Sequence, residues 1–182
     1  MWLAFLTFTL TLTPGFCIAQ KQTHIYMDRG SEQMLASPDV AFAIRTAQSA
    51  SAEIQIGQLA IKKAESQAVR EFATRVVRER TKAEEQLKQI AKRQNIMLPG
   101  NMTANNQAQY DKLQLLSGSR FDQTYINDMV NGCRAESRSF FKEGKNGKDA
   151  AMTNFAAESL PVIDQDLAAA RSIRAELISG GS

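Results

Sequence analysis

The segment from Ser66 to Asn95 constrains the fold most, because it is a long charged stretch with a single apolar stripe. Its apolar residues recur at steps of three and four, which is the period of an α-helix that buries one face. They are Val69, Phe72, Ala73, Val76, Val77, Ala83, Leu87, Ile90 and Ala91. At about 100° per residue, Arg80 falls in the middle of the same arc. A buried charge needs a partner, so the surroundings of Arg80 are the main chemical question that this sequence raises.

Three further long segments and one short segment carry the same periodicity. The first long helix begins at Ser37, a capping residue followed by Pro38, and extends to about residue 63. A short helix covers about residues 105–116, and two long ones cover about residues 120–143 and 149–178. Pro161 lies inside the last helix, where its missing N–H group predicts a kink.

These segments predict an all-α fold, an antiparallel four-helix bundle with a short extra helix before the third long helix. The four long helices are joined by two tight turns and one longer connection, and no strand pattern competes with them. We expect one bundle domain over residues 37–178, with a flexible lead-in over 20–36 and a flexible tail over 179–182. The lead-in contains His24, which we expect to be solvated.

Residues 1–19 are typical of a secretory signal peptide. They contain no charged side chain, and an apolar run from Trp2 to Leu12 is followed by a break and by small residues that suit cleavage after Ala19. The positive charges that usually precede the apolar run are missing. The run is shorter than the about 20 residues that span a bilayer. We therefore expect an exported, periplasmic protein whose mature chain has no transmembrane span.

Cys17 offers a second interpretation of the same region, because a lipid can be attached to an exported cysteine. The residue before it is Phe16, whereas such sites have a small residue there. This difference favours soluble export. After cleavage at Ala19, Cys133 would be the one cysteine left, so we expect no intramolecular disulfide.

Composition and motifs argue against several functional classes. The net charge is +3, and the basic residues alternate with acidic ones, so we expect no nucleic-acid partner. The sequence contains no serine hydrolase set, phosphate loop or Cys-x-x-Cys-His haem motif. We therefore expect no catalytic or cofactor-binding residues, and we expect the partner to be another envelope component or a second copy of the chain.

Non-apolar residues interrupt three of the stripes near mid-length, namely Arg80, Cys133 with Glu136, and Asp166. Glu53 lies at a similar height at the edge of the apolar arc of the first long helix, and in a bundle all of them would share one layer. Arg80 is expected to form a buried ion pair with Asp166, Glu53 or both. The alternative is that its long side chain reaches solvent at the edge of the stripe. Cys133 is interpreted as a small core residue.

Four segments together resemble a known bacterial family. They are AEIQIGQLA, EFATRVVRERTKAEEQLKQIA, LSGSRFDQTYINDMV and FAAESLPVIDQDL. The most specific pieces are Phe121, Asp122 and Tyr125 in the third and Leu160-Pro161 in the fourth. The resemblance covers roughly residues 40–175 and is to exported proteins of unknown function, often labelled predicted outer-membrane proteins. It implies a ferritin-like four-helix bundle, an envelope location, possible association with the outer membrane and a role under stress.

The same resemblance implies a metal-ligand set, because the family pattern has Asp-His in the second and third long helices and a histidine in the fourth. Those positions here are Glu79-Arg80, Gly132-Cys133 and Asp166, while the glutamate of the first helix is kept as Glu53. Arginine cannot ligate a metal. We therefore expect no metal and a non-catalytic binding, structural or stress-related module with a degenerate metal site.

The alternative is a ferritin-like metal-binding protein or metal oxidase that holds a divalent metal without the histidines. Its ligands would be Glu53, Cys133, Glu136 and Asp166. The positive charge of Arg80 in the same layer opposes this alternative.

Overall fold

The computed structural model describes residues 37–179, which form five α-helices. These are α1 (Pro38–Lys63), α2 (Gln67–Arg93), α3 (Ala104–Gln114), α4 (Gly118–Asn146) and α5 (Ala150–Ser179). No strand occurs within 37–179, and the all-α prediction is confirmed. The predicted signal peptide, the lead-in over 20–36 and most of the predicted tail lie outside the described residues.

The long helices are arranged as two hairpins, α1 with α2 and α4 with α5, and each pair packs along its length. Gly57 of α1 lies so close to α2 that an added Cβ would be 2.6 Å from Cγ2 of Val77. The missing side chain therefore permits the close approach of the first pair. The connection between the hairpins contains α3, which packs against α1 and α4, while α2 and α5 pack against each other.

Each hairpin turn is held by an aspartate from the other hairpin. Asp122 of α4 accepts hydrogen bonds from the backbone N–H groups of Glu65 (3.1 Å) and Ser66 (2.7 Å), just before α2. Asp39 of α1 accepts from the backbone N–H groups of residues 148 and 149, at 3.0 and 2.8 Å, just before α5. Helix N-termini carry unpaired N–H donors and a partial positive charge, so both carboxylates suit these positions.

The core has an aromatic cluster on each side of a charged layer. The first cluster consists of Phe72, Phe121 and Tyr125, and the second of Phe42, Phe140 and Phe155. The charged layer is formed by side chains from the middle of all four long helices. Residues 37–179 contain no helix that is long and apolar enough to cross a membrane.

The end of α2 differs from the sequence prediction, which extended the helix to Asn95 and beyond. The helix ends at Arg93, because Asn95 adopts a left-handed conformation with φ of 55°. The N–H of Ile96 then donates to the carbonyl of Ala91 at 2.9 Å. This is a Schellman-type ending, for which asparagine is the usual substitute for glycine.

The buried face of α1 is broad in its second half. Ile54 and Ile61 are half-buried there, while Ile56 and Ala60 are buried. The helix contacts α3 and α4 as well as α2, so its buried arc is wider than a hairpin partner alone would produce. In α5, the helix continues through Pro161 as one element.

Candidate functional site

Arg80 is surrounded by carboxylates from the three other long helices. Its side chain is 6% exposed and points into the bundle rather than to solvent. Its Nε lies 2.5 Å from Glu53 Oε2, its Nη2 lies 3.1 Å from Glu136 Oε2, and its Nη1 lies 3.3 Å from Asp166 Oδ2. Every nitrogen of the guanidinium therefore faces a negative group. We call Glu53, Arg80, Glu136 and Asp166 the charged layer.

The planar shape of the guanidinium brings the two glutamates together. Nε and Nη2 lie on one edge of the group, so the carboxylates of Glu53 and Glu136 meet there side by side. Asp166 lies at the remaining nitrogen. The layer thus has a pair of close carboxylates on one edge and a single carboxylate opposite.

Arg75 is a member of the site that the sequence did not indicate. Its Nη2 lies 3.1 Å from Asp166 Oδ1, and its Nε donates a hydrogen bond to the same oxygen at 3.2 Å. The helical spacing predicts a pair with Glu71 instead, but Glu71 accepts a hydrogen bond from Gln67. The difference arises because α2 packs against α5, and this tertiary contact brings Asp166 within reach of Arg75.

The protonation of the charged layer is governed by burial and by an excess of carboxylates. Burial raises the pKa of Glu136 well above its usual range, and Glu53 raises it further, while Arg80 acts in the opposite direction. Burial also raises the pKa of Asp166, against the effects of Arg80 and Arg75. Glu136 is therefore the group in the layer that is suited to hold a proton, next to Glu53.

Arg80 itself remains charged in this environment. Burial disfavours its positive charge, but Glu53, Glu136 and Asp166 together outweigh that effect and raise the pKa of the guanidinium. The arrangement is therefore an ion-paired cluster, with charge-assisted hydrogen bonds to Glu53 and Glu136.

Two unusual polar groups lie among the core residues near the layer. The Cys133 thiol is fully buried, and burial raises its pKa more than Arg80 lowers it, so the group stays a thiol. The Tyr125 hydroxyl is also fully buried and has no hydrogen-bond partner among the described residues. Burial, reinforced by Glu53, raises the pKa of Tyr125 too, so its hydroxyl stays protonated.

The donor set does not fit a metal ion as it stands. Glu53, Glu136 and Asp166 are each directed at Arg80, which places a positive charge where a metal would need their oxygens. In the described part of the chain, no three His, Cys, Asp or Glu side chains are grouped as a metal site requires. Cys133 lies in the same region, but its thiol makes no hydrogen bond with these carboxylates.

Two clefts reach the charged layer from outside. One, of about 180 Å³, lies between α2 and α5 and is lined at its inner end by Arg80 and Glu136. The other, of about 340 Å³, is lined by α1, α3 and α4 and reaches Glu53 and Glu136. Glu136 borders both clefts.

Comparison with solved structures shows that the fold has been seen before. The chain is similar to the crystal structure of a DUF305 fragment from Deinococcus radiodurans, with a TM-score of 0.65. The superposition covers 76% of this chain and 94% of that one, at 10% sequence identity, which relates the folds alone.

Comparison of sequences gives the family. No curated protein matches this chain. A family model described as a domain of unknown function, DUF4142, matches residues 27–173, which include all of α1 to α4 and most of α5. The chain therefore belongs to the DUF4142 family.

Proposed function

We propose that this DUF4142 protein is a non-catalytic helical bundle of the cell envelope, in which an ion-paired layer takes the place of a ferritin-like metal site. The observation that carries the proposal is the position of Arg80. Its guanidinium lies where carboxylates from α1, α4 and α5 converge. An arginine cannot bind a metal, but it can neutralise the same carboxylates.

The connectivity supports the ferritin-like part of this proposal. Ferritin-like bundles consist of two helical hairpins joined by one long crossover, and their metal ligands project inward from facing helices. Here α1–α2 and α4–α5 are the hairpins, and the segment with α3 is the crossover. Glu53, Glu136 and Asp166 come from three of the four long helices, as such ligands would.

Metal analysis tests the proposal. The protein comprising residues 20–182, purified without a histidine tag, should be folded and contain no stoichiometric metal. The alternative of a metalloprotein predicts about one or two metal ions per chain. Such ions, lost in Glu53→Ala but retained in a Glu79→Ala control, would overturn the proposal and identify a carboxylate site that forms despite Arg80.

Export is a separate part of the proposal and rests on the sequence of residues 1–19. Within the envelope the protein would act as a binding or structural module, through an envelope partner or another copy of itself. Expression of the full chain in a bacterium, followed by fractionation and N-terminal sequencing, tests this part. The mature protein should be periplasmic or associated with the outer membrane, and it should begin at Gln20. A cytoplasmic protein that keeps residues 1–19 would contradict export.

A further inference from the structure

The cleft between α2 and α5 has the build of a small ligand site. Its volume is about 180 Å³, and it extends from the surface to the charged layer. Arg80 and Glu136 lie at its inner end, and charged residues lie around its mouth. Its apolar lining residues are Ala50, Ala83, Leu87, Phe140, Val162 and Ile163, and the uncharged polar residues Thr46, Gln86 and Ser159 also line it. Apolar walls with a few convergent polar groups are the usual composition of a binding pocket.

The inner end of this cleft is unsuited to an anion. Arg80 is its one positive group, and each guanidinium nitrogen already faces a carboxylate of the protein. An anionic ligand would have to displace one of these buried carboxylates and leave it unpaired, which is costly. Glu136 accepts its hydrogen bond from Arg80 through Oε2, and its other oxygen accepts none from Arg80.

The charges around the cleft leave one negative charge at its inner end. The charged layer together with Arg75 contains three carboxylates and two guanidinium groups. The carboxylates belong to Glu53, Glu136 and Asp166, and the guanidinium groups to Arg75 and Arg80. Burial raises the pKa of Glu136, so a proton on this residue can neutralise the charge when no ligand is present.

The mouth of the cleft is balanced by comparison. Glu79 pairs with Arg78, and Glu84 pairs with Lys88, both at 2.8 Å. Glu158 and Lys82, which also line the cleft, have opposite charges that cancel. The charge that a ligand would complement therefore lies at the inner end and not at the mouth.

We propose that the α2–α5 cleft binds a small primary amine with a short apolar body. The ammonium group would donate to Glu136 and replace the proton on this residue. The apolar body would lie against Leu87, Phe140 and Ile163. The volume is below the roughly 300–1,000 Å³ of drug-sized pockets, so the ligand is limited to a few carbon atoms or one ring. This proposal gives a ligand class to the binding module proposed above.

The test is a calorimetric titration of the mature protein with four probes at one pH and salt concentration. Butylamine and benzylamine carry the ammonium group, while 1-butanol and butyrate have a similar body with no charge or a negative charge. Butylamine and benzylamine should bind to one site, and the other two should not. No binding of either amine, or equal binding of 1-butanol or butyrate, would overturn the proposal.

Variants locate the site. Glu136→Gln should weaken amine binding at least about tenfold, because the partner of the ammonium loses its charge. Glu158→Gln at the mouth should change it by less than about threefold, since rim charges contribute little. Val162→Phe leaves the residues of the charged layer unchanged and fills part of the cleft with a larger side chain, so it should abolish amine binding. This second variant tests the site even if Glu136→Gln is poorly folded. Unchanged binding in Glu136→Gln or Val162→Phe would overturn the proposal, whatever the metal content.

Discussion

At the scale of single residues, the balance between burial and pairing decides what Arg80 can do. Removing a charge from water costs several kcal/mol, and three nearby carboxylates offset that cost here. A buried ion cluster is therefore weak evidence for extra stability, but breaking it is expensive. The cluster joins side chains from all four long helices at one layer.

Asp166 provides a direct measure of this cost. Asp166→Ala removes the carboxylate shared by Arg75 and Arg80 and should lower the free energy of unfolding by about 3–5 kcal/mol. Asp164→Ala, two residues along the same helix, removes an exposed carboxylate bonded to Ser137 and should cost about 1 kcal/mol or less. Urea denaturation of both variants checks the difference, and equal midpoints would contradict the buried pairing.

Glu136 should make stability fall as pH rises. Its pKa in the folded protein is raised above its ordinary value of 4.5, mainly by burial, so the folded state binds the proton more tightly than the unfolded state. The contribution is fully present below about pH 4.5 and is lost as pH rises through the raised pKa. Asp166, whose pKa is also raised, acts in the same direction.

Glu136→Gln keeps the shape of the side chain and removes its titration. We expect this variant to be more stable than the natural protein at pH 8 and to lose part of the decline above pH 4.5. Urea denaturation between pH 4 and 8 measures the effect, with the exposed Glu158→Gln as control. A natural protein whose stability rises over this range, or identical curves for Glu136→Gln and the natural protein, would refute the assigned shift.

At the scale of helices, the spacing of apolar residues predicts where the five helices lie in the sequence but not which side chains connect them. Ser37 caps α1 as the sequence indicates, with its Oγ accepting from the N–H of Asp39 at 3.3 Å. Ser66 lies at the predicted start of α2, but its side chain makes no capping bond. Asp122 binds the N–H of Ser66 instead, across more than fifty residues of sequence. Local capping rules cannot supply such a bond, although the Phe121-Asp122 motif marked the residue.

Asp122 should therefore matter more than an ordinary surface aspartate. Asp122→Ala leaves two N–H donors at the start of α2 without their acceptor, and each unsatisfied buried group costs about 1–3 kcal/mol. We expect a loss of at least about 2 kcal/mol in unfolding free energy. Asp111→Ala in α3, where the carboxylate is exposed and bonded to Gln107, is the control. A loss no larger than that of Asp111→Ala would show that the hairpins do not depend on this contact.

The charged layer itself was partly accessible from the sequence. The helical period reveals breaks at Arg80, Glu136 and Asp166 in three apolar stripes, and it places Glu53 at a similar height at the edge of the first helix's arc. The contribution of Arg75 was not visible, because it depends on the angle at which α2 meets α5. The buried Tyr125 hydroxyl was missed for a related reason, since an aromatic residue in a stripe predicts only packing.

At the scale of the whole molecule, the charged layer divides the core between two aromatic clusters and is reached by two clefts. The centre of the bundle is therefore polar, and the two clefts connect it with the surface. The structural match relates the fold to that of the DUF305 fragment, and the family label gives no activity. Both proposed roles therefore rest on the charged layer. We propose that it replaces a metal site and that it forms the inner end of a ligand cleft.

The most direct measurement compares the free energies of unfolding of Arg80→Met and Arg78→Met, because Arg80 is the centre of the charged layer. Arg80→Met would leave Glu53 and Glu136 without their cation and Asp166 with Arg75 alone, and it should cost about 3–5 kcal/mol at pH 8. The cost should shrink at pH 5 as Glu136 and Asp166, whose pKa values are raised, take up protons. Arg78 is 70% exposed and pairs with Glu79, so Arg78→Met should cost about 1 kcal/mol or less at both pH values. Equal losses for the two variants, or a loss in Arg80→Met that does not depend on pH, would contradict the ion-paired layer.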